Sequence, residues 1–114
     1  MNLRAFTNIF HQARPKLYKT YLKDVGATST TLAAITSEAL PANVCMVRVT
    51  NTSDTAISFQ AGAAAVALTS ANIPAVGATN SEASREFWGS KTELDLLQFI
   101  AAGSKSASIE VYTY

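Results

Sequence analysis

The sequence predicts a single all-β domain, an antiparallel β-sandwich or jelly roll, led by an extended or short-helical N-terminal arm. Three observations predict it. From Gly26 onward, short runs of alternating apolar and polar residues are separated by polar turns at regular spacing, the pattern of small sandwiches. With 114 residues there is room for one hydrophobic core and no second domain. Charge is split along the chain: residues 1–25 carry five basic residues against Asp24 alone, while residues 26–114 carry four basic against seven acidic. The expected organisation is a basic docking arm, residues 1–25, joined to a mildly acidic sandwich, residues 26–114.

In the arm, Leu3, Phe6, Phe10 and Ala13 recur at spacings of three and four, so residues 3–13 suit a short amphipathic helix. Pro15 ends it, because proline has no amide proton and disfavours helix at the residue before it. Beyond Pro15, Leu17, Tyr18, Tyr21 and Leu22 interleave with Lys16, Lys19 and Lys23. A helix this short is marginal alone, so the arm is expected to order by docking, through Phe6, Phe10, Arg14, Lys16, Tyr18 and Tyr21.

Within the body, the Thr-rich stretch 28–36 reads as a first strand or extended lead-in, and Leu40–Asn43 as a turn. Residues 44–50 form the clearest strand, with Cys45, Val47 and Val49 on one face and Met46, Arg48 and Thr50 on the other. Residues 51–54 make a polar turn into a strand over 55–61, with Ile57 and Phe59 inward. A weaker run covers 63–68, and 69–83, with Pro74, Gly77 and Asn80, reads as a long loop. Residues 84–89 resume as a strand with Phe87 on one face and Glu86 and Trp88 on the other. A turn at 90–93 leads to an apolar strand, 95–101. Gly103–Lys105 turns into 106–114, where Ile109, Val111 and Thr113 alternate with Glu110, Tyr112 and Tyr114.

Hydrophobic residues make up 48% of the chain and charged residues only 15%, well below the usual share of about 25%. A small domain normally relies on charge for solubility, so a surface of Ala, Ser and Thr suggests that partners cover part of it. No apolar run approaches the ~18 residues of a membrane-spanning helix, and the N-terminus lacks a signal-peptide apolar core. The single cysteine, Cys45, excludes an internal disulfide and any multi-cysteine zinc site, and its place in an apolar run suits a small buried hydrophobe.

Templates for catalysis find no match. The only histidine, His11, lies in the arm, so the body offers no Ser-His-Asp or Cys-His constellation. Carboxylates are scattered singly. Glu93 and Asp95 would share a strand face, a solvated rim rather than a cation site. No glycine-rich phosphate loop is present. The reading is a non-enzyme with no cofactor and no metal.

Interaction residues are easier to nominate. Arg14, Lys16, Tyr18, Lys19, Tyr21 and Lys23 could track phosphates and stack bases, but the acidic body continues no basic groove, so protein docking is favoured over nucleic acid. Trp88, beside Arg85, points outward if Phe87 fills the core, and so either anchors an interface or packs under a loop. Tyr112 and Tyr114 pose the same question.

The segments VRVTNTSDTAISFQAG (47–62), NIPAVGATNSEASREFWGS (72–90) and LLQFIAAGSKSASIEVYTY (96–114) together resemble small structural proteins of tailed bacteriophages. Arg48, Asn51, Thr52, Phe59, Pro74, Phe87, Ile100, Ala101, Ala102, Gly103 and Tyr112 carry that resemblance. It covers about residues 44–114 and leaves out the arm. It implies a virion component made in the host cytoplasm: a capsid decoration (cement) protein, or a head, neck or tail fibre anchor. The expected partners are copies of itself, a trimer most simply, and the major capsid protein or another virion protein. A nucleic-acid-binding module acting through the arm is the remaining alternative.

Overall fold

The computed structural model describes residues 14–65, 70–77 and 83–114. They form two four-stranded sheets, every strand pair antiparallel. In chain order the elements are β1 (Lys16–Val25), β2 (Thr30–Thr31), α1 (Leu32–Thr36), β3 (Val44–Asn51), β4 (Ile57–Ala61) and β5 (Ala71–Ile73). β6 (Ser84–Trp88), α2 (Lys91–Leu94), β7 (Leu97–Ile100) and β8 (Lys105–Thr113) follow. Sheet A has the order β1-β8-β3-β6 and sheet B the order β2-β7-β4-β5. The pairs 1·8, 2·7, 3·6 and 4·5 are the rungs of one long hairpin folded over itself. Contacts of β3 with β8 and of β4 with β7 close it into two layers, the wiring of a jelly roll.

Alternation puts one side chain in two between the sheets. Ala107, Ile109 and Val111 of β8, Val47 and Val49 of β3, and Ile57, Phe99 and Ile73 of sheet B are essentially removed from water. Phe59 and Phe87 pack on this core from its open margin, edge-to-face at 4.9 Å.

Several expected boundaries are corrected. Residues 16–25, assigned to the arm, pair with β8 from Lys16 to Val25, so the sandwich begins before Gly26. Only Tyr21 and Val25 of β1 are buried, because β1 is an edge strand with lysines and a bulge at Tyr18, the features by which sheet edges resist unwanted pairing. The lysine-rich sequence therefore reads as an arm although it is a strand. Stretch 28–36 is a two-residue strand followed by α1: Thr31 caps the helix, and Leu32, Ile35 and Thr36, at helical spacing, are buried. The loop expected at 69–83 contains β5, held to β4 through Ile57–Ile73. The turn at 90–93 is the helix α2, closed by a capping box between Ser90 and Glu93. That removes the Glu93–Asp95 strand face: Glu93 caps α2 and Asp95 pairs with Lys91 at 2.7 Å. The strand expected over 95–101 narrows to β7. The weak run at 63–68 shows no strand through Ala65, and residues 66–69 lie outside the described residues, as does the expected helix at 3–13.

Candidate interaction surface

Both sheets carry an outer face, and that of sheet A is ordered in rungs. Register aligns Leu17 of β1 with Tyr112 of β8, Tyr112 with Met46 of β3, and Met46 with Trp88 of β6. One apolar rung therefore crosses all four strands. Met46 is buried beneath its neighbours, whereas Leu17 is 54% exposed and Trp88 59%. Tyr18, the extra residue of the β1 bulge, is 54% exposed and Tyr114 60%. Tyr114 is fixed in place through its backbone, which donates to the Asn43 backbone carbonyl and accepts from the Asn43 side-chain Nδ2.

A second bulge shapes this end. Cys45 is the extra residue opposite Tyr112, so Val44, not Cys45, joins the core with Val47 and Val49. This corrects the expected facing of Cys45. It stays buried, its thiol 3.5 Å from the Tyr112 carbonyl, and burial pushes its pKa up, away from reactive thiolate. Val44, Cys45, Trp88 and Tyr114 line a shallow groove of about 490 Å³ at the end of the rung.

The next rung is polar. Thr20, Glu110, Arg48 and Glu86 align across the same strands. Arg48 reaches Glu86 at 3.1 Å and Glu110 at 3.8 Å, and its guanidinium lies over the Tyr112 ring at 5.9 Å. Tyr112 donates to Glu110 at 3.1 Å; partial burial first, then that bond, raises its pKa. The third rung, Leu22–Ser108–Thr50–Ser84, contains one isolated exposed leucine. Apolar exposure on sheet A is thus concentrated at the Leu17–Trp88 rung.

The nominated residues separate accordingly. Tyr18, Trp88, Tyr112 and Tyr114 gather at one end of sheet A, with Arg14 and Lys16 entering beside them. Leu17 and Met46 were not nominated; register reveals them, since only pairing tells which side chains line up across strands. Tyr21 is a correction. It is buried in the core rather than free to dock, and donates to Glu38 at 2.8 Å. Burial, reinforced by Glu38, raises its pKa to about 12. Lys19 bonds the same carboxylate at 2.7 Å, and the two bonds hold Glu38 below its usual range, so this lysine is already engaged. Phe6 and Phe10 lie outside the described residues.

Arg85 is parted from Trp88 by strand alternation. Its guanidinium lies over the Phe59 ring at 5.2 Å, at a cleft of about 580 Å³ between the sheet edges. Phe59, Phe87 and Leu97 form the apolar wall of this cleft, and Trp88 stands at its rim.

Among the described residues no group of three or more His, Cys, Asp or Glu could hold a metal ion, and no helix is long and apolar enough to cross a membrane. Compared with family models, with curated proteins and with solved structures, the chain matches none.

Proposed function

We propose that the protein is a virion structural protein, a capsid decoration protein that stabilises a shell by oligomerising and docking on it. The observation that carries the assembly reading is the Leu17–Tyr112–Met46–Trp88 rung with Tyr18 and Tyr114 beside it. Large apolar side chains exposed together at one end of a sheet mark an interaction surface, and aromatic residues are enriched among those that dominate binding energy. Each apolar side chain buried there contributes about 1.5–3 kcal/mol, and repetition over a shell multiplies the effect. The virion assignment rests on the resemblance of residues 44–114 to small bacteriophage structural proteins.

Quantitative mass spectrometry of density-banded particles tests it. A decoration protein is present in fixed proportion to the major shell protein. A few copies per particle would move it to a neck or tail ring, and absence from particles would reject the virion assignment.

A second reading, an anchor that presents a receptor-binding site, has the Phe59–Phe87 cleft in its favour. Trp88 stands at its rim, so quenching of tryptophan emission by host-surface glycans would support that reading, and unchanged emission would count against it.

A further inference from the structure

We propose that residues 1–13 of one copy dock on the apolar end of sheet A of a neighbouring copy, laying Phe6 and Phe10 across its Leu17–Tyr112–Met46–Trp88 rung. This rests on the assembly reading and names the partner of that surface.

Two apolar sets belong to this chain. One is the rung with Tyr18 and Tyr114, more than half exposed at four of its side chains. The other is Leu3, Phe6, Ile9 and Phe10, in the segment that precedes the sandwich. Geometry brings them to the same place. Lys16 pairs with Thr113 and Leu17 with Tyr112, so the chain joins the sandwich at the rung itself, beside Tyr114.

The direction of the chain favours a neighbour over the same copy. Pro15 fixes its own φ and keeps Arg14 in extended backbone. On this proposal the segment leaves β1 along the strand axis, off the end of sheet A. Covering its own rung would require the chain to reverse within the short stretch between Phe10 and Pro15. Length is sufficient for the neighbour: 13 extended residues reach about 43–47 Å, and four strands span only about 14 Å across. Charge agrees, since Arg4 arrives beside a rung that holds Glu86 and Glu110 against Arg48 alone.

Every copy offers one segment and one rung. Segments and rungs are then equal in number in a reciprocal dimer or a head-to-tail ring, whereas a rotation that does not close would give a filament.

The test reads two signals from the full-length chain over a dilution series: mass by light scattering, and the emission of Trp88, the single tryptophan. Docking in trans predicts an oligomer with blue-shifted emission, whose mass and emission fall back together on dilution. The double variant Phe6→Asp/Phe10→Asp should be monomeric and red-shifted throughout, its association weakened roughly thirtyfold or more, the loss expected of a buried aromatic anchor. A synthetic peptide of residues 1–13 added to that variant should restore the blue shift. Blue-shifted emission in a concentration-independent monomer would overturn the proposal in favour of docking within one copy. An oligomer untouched by the double variant would overturn it outright. Incorporation into particles is a separate readout, so the exchange can fail while the virion assignment stands, and the reverse.

Discussion

The two ends of β3 break the usual inside–outside rule in opposite directions. At the Met46 end, Trp88, Leu17 and Tyr114 turn apolar surface to solvent. At the other end a polar side chain, Asn51, is completely buried. Its amide nitrogen donates to the carbonyls of Thr55 at 2.7 Å and Ile73 at 3.1 Å. Its oxygen accepts from the Ser53 amide at 2.9 Å and the Ser53 hydroxyl at 2.7 Å. One side chain thereby closes the β3–β4 turn and ties it to β5. The exception at Asn51 is satisfied within the chain and is architectural. The exception at Trp88 finds no such satisfaction among the described residues, and that difference separates a device for folding from a surface for partners.

Breaking the satisfied end should have the largest effect on stability. Asn51→Ala strands the Ser53 amide and takes a donor from the Ile73 and Thr55 carbonyls, the latter keeping the Ser53 hydroxyl, and should cost about 3 kcal/mol, read as a lower urea midpoint at unchanged slope. A loss below about 1 kcal/mol would mean that water reaches the turn.

Tyr21 extends the same logic to β1, where a buried phenol is satisfied by Glu38. Its folded pKa is about 12, while in the unfolded chain the phenol titrates near 10. The unfolded state thus loses its proton first, and the stability contributed by the neutral phenol is full below pH 10 and lost as pH rises through about 12. Tyr21→Phe should lack that part of the alkaline decline. Glu38 has the opposite sign. Its lowered pKa contributes stability above the ordinary carboxylate range that disappears as pH falls through the folded value, so Glu38→Gln should flatten the acid limb below about pH 4.5. Identical pH profiles for wild type and variants would remove this pair from the account.

Arg48 stands between the two ends and sharpens the comparison. Its ion pairs are solvent-exposed, so Arg48→Met should cost only about 0.5 kcal/mol in chemical denaturation. It also widens the apolar rung by one row, so self-association should strengthen despite the loss. The smallest effect is expected far from both ends. Ser37 ends α1 at φ 62°, in the left-handed region, and Ser37→Gly should raise stability by about 0.5 kcal/mol without altering association. A stability loss there would show that the Ser37 side chain matters more than its backbone strain.

Much of the fold was legible because alternation is a local property. The strands around Val47, Phe87 and Ile109 can be read from spacing of two, and the sandwich follows from their number. What escaped reading was set by neighbours in space. β1 reads as an arm because an edge strand buries only Tyr21 and Val25, leaving its lysines conspicuous. The helix α1 is hidden by threonines, although Leu32, Ile35 and Thr36 keep helical spacing. Ser90 and Glu93, three apart, carry a capping signal that would have revealed α2. Trp88, Tyr112 and Tyr114 could be nominated by residue type, but their assembly with Leu17 and Met46 depends on register. Two bulges, at Tyr18 and Cys45, set that register, and alternation alone shows neither of them.

The central claim, that the apolar end of sheet A is the assembly surface, is tested most directly by the solution mass of the full chain and of Leu17→Asp/Trp88→Asp. Both side chains are more than half exposed, so the variant should still fold cooperatively. The account predicts a defined oligomer for the wild type and a folded monomer for the variant. Equal masses for the two, with both folded, would contradict it.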